Sequence, residues 1–178
     1  VLRMLSKRNR AERMTAMKQA IVLASFGVGQ AEARERCLDA LAFETAQAFP
    51  AYEIRQAYTS AFIRKRLAAA GMFVPSLPEA LQQLREEGFS RVLVQPTHLT
   101  PGEEYANKIC RAVEDAAADF SELRLGRPAF FQTGDGGQTD DYAAGLAAML
   151  ETQRLEPAEA FVFMGHGSPH QHNVVYDR

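Results

Sequence analysis

The sequence predicts an α/β domain, a mainly parallel sheet of four to five strands with helices on both faces, on three observations. Apolar runs of strand length begin near residues 20, 52, 91, 123 and 160, about 32, 39, 32 and 37 residues apart, the length of a strand plus its crossover helix. The first run, Ile21 to Phe26, is continuous and apolar but for Ser25, and the last, Ala160 to Met164, is apolar throughout, as strands buried on both faces must be. Between the runs, apolar residues recur at helical spacing.

The elements follow in order. Gly27 closes the first strand, after which Cys37, Leu41, Thr45 and Phe49, flanked by Leu38, Ala42 and Ala46, form one apolar stripe on a helix that Pro50 ends. Tyr52 to Tyr58 alternates Glu53 and Arg55 against Ile54, which places the second strand nearer an edge. Thr59 or Ser60 caps a short helix reaching Ala70 before Gly71. Pro75, Ser76, Leu77 and Pro78 open another, with Leu77, Ala80, Leu81 and Leu84 on one face and Gly88 as its stop. Arg91 to Pro96 is the third strand, and a loop from Thr97 to Gly102 follows. Tyr105, Ile109, Val113, Ala117 and Phe120 then stripe a helix. A weaker strand runs from Leu123 to Arg127, Gly134 to Gly137 reads as a loop, and Thr139 caps a helix carrying Tyr142, Leu146, Met149 and Leu150.

Composition sets the functional bounds. The 178 residues carry 20 Lys+Arg against 22 Asp+Glu, a net charge of −2, so no basic face points to a nucleic-acid partner. No apolar run approaches the roughly 18 residues of a membrane span. Cys37 and Cys110 are too few for a disulfide framework and are expected as reduced, buried thiols of a cytoplasmic protein. Residues 1–16 hold five Lys or Arg against Glu12 alone, with no apolar segment to make a secretory signal; they read as a basic leader, disordered or adventitious.

In parallel sheets of this kind, functional groups collect at the carboxyl ends of strands. Here those ends are Ser25, Phe26 and Gly27; Tyr58, Thr59 and Ser60; Gln95 to Glu104; and Gly165, His166 and Gly167. The last is the sharpest, because His166, His170 and His172, three of the four histidines of the chain, fall within seven residues after a buried strand. A His between two Gly can turn its imidazole into a cleft, where it serves as a metal ligand or as a base. A polar turn with solvated histidines fits the residues equally.

Four segments carry a resemblance to a known family. Ser25-Phe26-Gly27, Ala57-Tyr58-Thr59-Ser60 with Ile63-Arg64, Leu99 to Tyr105 with its Gly-Glu-Glu-Tyr, and Phe163-Met164-Gly165-His166-Gly167 with His170 stand in the order found in the anaerobic-type sirohydrochlorin cobaltochelatases. These are class II tetrapyrrole chelatases, relatives of the protoporphyrin ferrochelatases, and the resemblance covers about Met17 to Tyr176. It implies insertion of Co2+, or Fe2+, into sirohydrochlorin without ATP and without an organic cofactor, in a cleft between two similar flavodoxin-like lobes. In that family a His of the Gly-His-Gly motif joins a Glu and a second His of the following lobe around the metal. Only the first carries over, onto His166, as metal ligand and proton acceptor. Ser25, Phe26, Gly27, Thr59, Ser60, Glu104, Tyr105 and His170 are the expected substrate contacts.

Two departures stand beside the resemblance. The family continues with a second lobe where this sequence stops at Arg178, so residues 17–164 read as a first lobe and residues 165–178 as the Gly-His-Gly loop and the start of a second. Pairing is therefore expected, with a second copy or with the missing lobe. Val28-Gly29 replaces hydroxyl-bearing residues common in relatives, which puts polar contacts from that loop in doubt.

Several residues keep two readings. His98 either lines the tetrapyrrole cleft or hydrogen-bonds its own loop, the latter being favoured. Glu103 and Glu104 sit in a first helical turn, where the macrodipole alone accounts for carboxylates. Arg64, Lys65 and Arg66 either meet carboxylate arms or form a solvated face. The competing function is a non-catalytic flavodoxin-like module that carries a metal or a tetrapyrrole. Nucleotide binding is disfavoured by the lack of a Gly-x-Gly-x-x-Gly after a strand and of a P-loop Lys.

Overall fold

A computed structural model of the chain describes residues 17–130 and positions 145, 147, 148, 150, 151 and 160. The expected leader, the Gly134 loop, most of the helix from Thr139, nearly all of the last strand, and His166, His170 and His172 lie outside the described residues.

Four strands form one parallel sheet in the order β2-β1-β3-β4: β1 Lys18–Ser25, β2 Glu53–Tyr58, β3 Phe89–Pro96 and β4 Glu122–Leu125. β1 pairs on both sides, and Ala20 to Ser25 are all buried, as the apolar run up to Ala24 predicts. β2 lies at an edge of the described sheet, in line with its alternating charges. Pro75 O accepts from Tyr58 N at 2.9 Å and caps the end of that edge.

One face of the sheet holds the core. Val22 aligns with Val94 and Ala24 with Ala57, so their side chains point the same way, onto the helix α3 (Leu77–Glu86) and the helical segments of α4 (Tyr105–Cys110, Arg111–Ala116 and Ala117–Asp119). α3 forms because Ser76 and Glu79 make a reciprocal capping box, with Pro78 in the first turn. Its Leu77, Ala80, Leu81 and Leu84 are all buried against the sheet. Helix α2 (Ala61–Ala69) is capped by Ser60, and Gly71 leaves it at φ +81°.

Helix α1 lies on the opposite face, where Gln56, aligned with Leu23, donates to Asp39 at 2.9 Å. It comprises Ala31–Arg34, a π turn Glu35–Asp39, and Ala40–Ala48. The expected stripe of Cys37, Leu41, Thr45 and Phe49 is corrected here. Cys37, Leu41 and Phe49 are exposed, and the side chains turned inward are Arg34, Leu38, Ala42, Thr45 and Ala46. The wider π turn rotates the downstream helix, so a strict four-residue repeat no longer tracks one face. The exposure of Cys37 also overturns its expected burial, while Cys110 is half-buried. In α4, Ala117 is exposed and Ala116 packs on the core instead, where the helix tightens into its last 3-10 turn.

Candidate functional site

The carboxyl ends of β1, β2 and β3 are tied into one surface. Thr59 N donates to Ser25 O at 2.8 Å, Ser60 N to Phe26 O at 3.1 Å, and Thr97 N to Ala24 O at 3.0 Å. Pairing thus runs past the strands and draws three loops together, at the edge where parallel sheets place their sites.

The structure brings together the expected contacts of the described region but gives them different tasks. Ser25 is 2% exposed, and its hydroxyl accepts from Thr97 Oγ1 at 3.0 Å. The Ser60 hydroxyl accepts from Ile63 N at the head of α2. Tyr105 packs against the core, and its hydroxyl donates to Gly126 O at 3.5 Å. Burial, and then the neighbouring Cys110 thiol, push that phenol up to about 12, so it stays protonated. Gly27 has φ +107°, and a Cβ there would lie 2.7 Å from the Tyr58 ring, so the turn out of β1 requires glycine. Phe26 stands 49% exposed on the rim, joined by Phe62 of α2 and Leu99 after β3, also exposed.

Thr59, Glu104 and His98 differ from these in keeping unused polar atoms. Glu104 Oε1 accepts from Lys108 Nζ at 2.6 Å, and Lys108 also reaches Thr59 O at 3.3 Å. Burial by itself raises the Glu104 pKa; Lys108, Thr59 and His98 together outweigh it and hold the carboxyl below its ordinary range, hence ionised. Its second oxygen and the Thr59 hydroxyl, both shielded from water, make no hydrogen bond of good geometry, yet they lie close enough for Thr59 to help hold the carboxylate ionised. His98 replaces the favoured expectation with a different finding. Neither ring nitrogen meets its own loop or any other partner among the described residues, and both are shielded from water. Burial lowers its pKa, the Glu104 charge opposing this only in part, so the ring is neutral at pH 7.

Lys108 was not singled out by the sequence, though its i, i+4 spacing from Glu104 is a readable signal for an ion pair. Of the basic triplet on α2, Arg64 pairs with Glu79 at 3.3 Å, whereas Lys65 and Arg66 are exposed. Among the described residues no three His, Cys, Asp or Glu are grouped to hold a metal ion. No helix among them is long and apolar enough to cross a membrane.

Comparisons with known proteins agree with this architecture. Residues 19–178 match the family described as Cobalt chelatase (CbiK). The sirohydrochlorin cobaltochelatase CbiKC of Nitratidesulfovibrio vulgaris is 38% identical over 164 residues, which cover 90% of this chain and 55% of that protein. The sirohydrochlorin cobaltochelatase of Salmonella typhimurium is 30% identical over 162 residues, covering 90% of this chain and 59% of that protein. The chain thus spans little more than half the length of these relatives. Among solved structures, a cobalamin (vitamin B12) biosynthesis CbiX protein from Marinobacter aquaeolei superposes with a TM-score of 0.51 at 18% identity, over 76% of this chain and 94% of its own, a likeness of fold.

Proposed function

The chain belongs to the Cobalt chelatase (CbiK) family, and from that premise we propose that it inserts Co2+ into sirohydrochlorin, without ATP, at the carboxyl edge of its sheet. One observation carries the reading. The polar atoms of Thr59, His98 and Glu104 that lack partners gather at that edge, beside the exposed apolar rim of Phe26, Phe62 and Leu99. A flat macrocycle with an apolar surface and a polar centre suits such a site.

In this reading the macrocycle seats on the rim. Glu104, anchored through one oxygen by Lys108, presents its other oxygen as a fixed negative charge toward the incoming cation. His166 holds Co2+ through its one unprotonated ring nitrogen, and once the metal has passed to the macrocycle that same nitrogen is free to take one pyrrole proton, the other leaving to water; His170 contacts the substrate. Two N–H protons leave for each metal that enters. Cobalt is substrate here, and no organic cofactor takes part. Residues 17–164 form a first lobe and residues 165–178 lead into a second. The exposed rim is where that lobe, or a second copy, covers the macrocycle. We place the reaction in the cytoplasm, where the exposed Cys37 thiol stays reduced.

The test is anaerobic cobalt insertion into sirohydrochlorin, followed by absorbance. Wild type should turn over, His166→Ala should abolish insertion while leaving the fold intact, and His170→Ala should reduce it less. Wild-type turnover by His166→Ala refutes the role given to that residue. Tight tetrapyrrole binding without insertion by wild type identifies a carrier module instead.

A further inference from the structure

The apolar rim continues into a basic corner. Phe26 and Phe62 are 49% and 74% exposed at the carboxyl edge, and Arg66 follows Phe62 by one turn of α2, so both side chains leave the same face of that helix. The helix runs beside the loop that leaves β1. A Cβ placed on Gly27 would lie 3.3 Å from Ile63 Cγ2, and one placed on Gly29 would lie 3.7 Å from Arg66 Cδ and 3.9 Å from both Nε and Nη1. The stem and guanidinium of Arg66 therefore stand against the Gly29 loop, at the same edge as the two exposed phenylalanines.

Charge sets this arginine apart from its neighbours. Arg34 meets Asp39 at 3.5 Å, Arg36 meets Glu32 at 3.6 Å and Arg64 meets Glu79 at 3.3 Å. Arg66 is exposed and has neither an ion pair nor a hydrogen bond among the described residues. The loop from Phe26 to Ala31 and the whole of α2 contain no acidic residue that could neutralise it. An apolar shelf edged by an unneutralised guanidinium is complementary to a flat ring that carries carboxylates on its periphery. Sirohydrochlorin is such a ring, with acetate and propionate arms around an apolar face.

We propose that Arg66 is a positioning contact for the macrocycle: its guanidinium donates to one peripheral carboxylate while the ring rests on Phe26 and Phe62. This rests on the chelatase reading and deepens it by naming the feature of the substrate that is recognised. Phe62 and Arg66 are separated along the helix by one turn, about 5.4 Å, a span that a flexible carboxylate arm bridges. The planar fork of Arg engages both oxygens of one carboxylate, which fixes the ring's orientation as well as holding it. No protein carboxylate has to be displaced first. Arg66 meets the periphery and not the pyrrole nitrogens, so it acts on binding and leaves the metal and proton transfers to other groups.

The experiment is equilibrium binding of metal-free sirohydrochlorin, read by absorbance without oxygen, to wild type, Arg66→Gln, Arg66→Lys and Arg124→Ala. It is run at about 0.01 M and about 0.15 M salt, between which the Debye length falls from about 30 Å to about 8 Å. Thermal midpoints and cobalt insertion at saturating sirohydrochlorin are measured alongside. At the lower salt Arg66→Gln should bind about fivefold more weakly than wild type, between the worth of an open ion pair and that of a shielded charge-assisted hydrogen bond. Its deficit should shrink at the higher salt, which a loss of mere packing would not do. Arg66→Lys, which keeps the charge but not the fork, should recover part of the loss, and Arg124→Ala should bind as wild type does. Midpoints should be unchanged and insertion at saturation should stay within about twofold. Wild-type binding by Arg66→Gln, a deficit that salt leaves untouched, or an equal deficit in Arg124→Ala overturns the assignment while leaving the chelatase reading in place. If wild type does not bind sirohydrochlorin at all, that reading fails and this inference with it.

Discussion

Replacing Gly27 by Ala should be costly for two separable reasons. Gly27 has φ +107°, a conformation that costs a residue with a Cβ about 1–3 kcal/mol. The added Cβ would also lie 2.7 Å from Tyr58 Cδ2, 3.0 Å from Cγ and 3.3 Å from Ile63 Cγ2. Tyr58 is 1% exposed and its amide is fixed to Pro75 O, so the ring cannot step aside, and overpacking of this kind costs about 1–3 kcal/mol more. A total near 4 kcal/mol lowers the melting temperature of a chain this size by about 8–16 °C. Gly71→Ala isolates the first part, because Gly71 has φ +81° and a Cβ there would meet nothing within 4 Å. Thermal denaturation of the two variants should show Gly27→Ala losing at least twice as much as Gly71→Ala. Equal losses would mean that the Tyr58 contact does not hold the turn at the end of β1, and a Gly27→Ala shift under 2 °C would refute both parts.

Three further outcomes follow from the same structure. Leu84→Ala empties a fully buried position between α3 and the sheet and should cost about 2–5 kcal/mol in urea unfolding; a loss under 1 kcal/mol would contradict the core assignment. His98 has a folded pKa below its unfolded value of about 6.5, so its contribution to stability is complete above that pH and is lost as pH falls through the folded pKa; Glu79 and Glu104, also lowered, add a second loss below about pH 4.5. Melting temperature against pH should show both steps, and His98→Phe should remove the upper one alone. In thiol labelling of the folded protein, Cys37 should react within minutes and Cys110 more slowly, since Cys110 is half-buried and burial pushes its thiol pKa up; equal rates would count against the observed orientation of α1.

The parts of the fold that were legible are those whose signals are local. β1 announces itself because a central parallel strand must be apolar on both faces, and α3 because Ser76, Pro78 and Glu79 write a helix start within one turn. The inward face of α1 was not legible, since a π turn at Glu35–Asp39 changes the repeat without any change in residue type that marks it. At the site, Gly27 and Thr59 could be placed at strand ends from spacing alone. The cap of α2 was legible to within Thr59 or Ser60, and Ser60 takes it; the task of Ser25 was not, because it depends on Thr97, 72 residues away. The idle ring of His98 was equally hidden. A histidine followed by a polar loop ordinarily bonds within it, whereas here Thr97 N, His98 O and Leu99 O pair at long range with Ala24, Ala129 and Phe130, which no local pattern announces.

The central claim is that the tetrapyrrole is metallated at the carboxyl edge of the sheet. The measurement that tests it most directly is the rate of cobalt insertion into sirohydrochlorin by Glu104→Gln and by Arg124→Ala, the latter on β4 beside the hollow formed with Tyr52, Arg91 and Glu122. Glu104→Gln removes the half-buried negative charge while keeping the shape, and should slow insertion at least tenfold, with a modest fall in melting temperature from the lost Lys108 pair. Arg124→Ala should leave insertion within twofold of wild type. Wild-type insertion by Glu104→Gln, or a loss confined to Arg124→Ala, would place the chemistry elsewhere on the molecule.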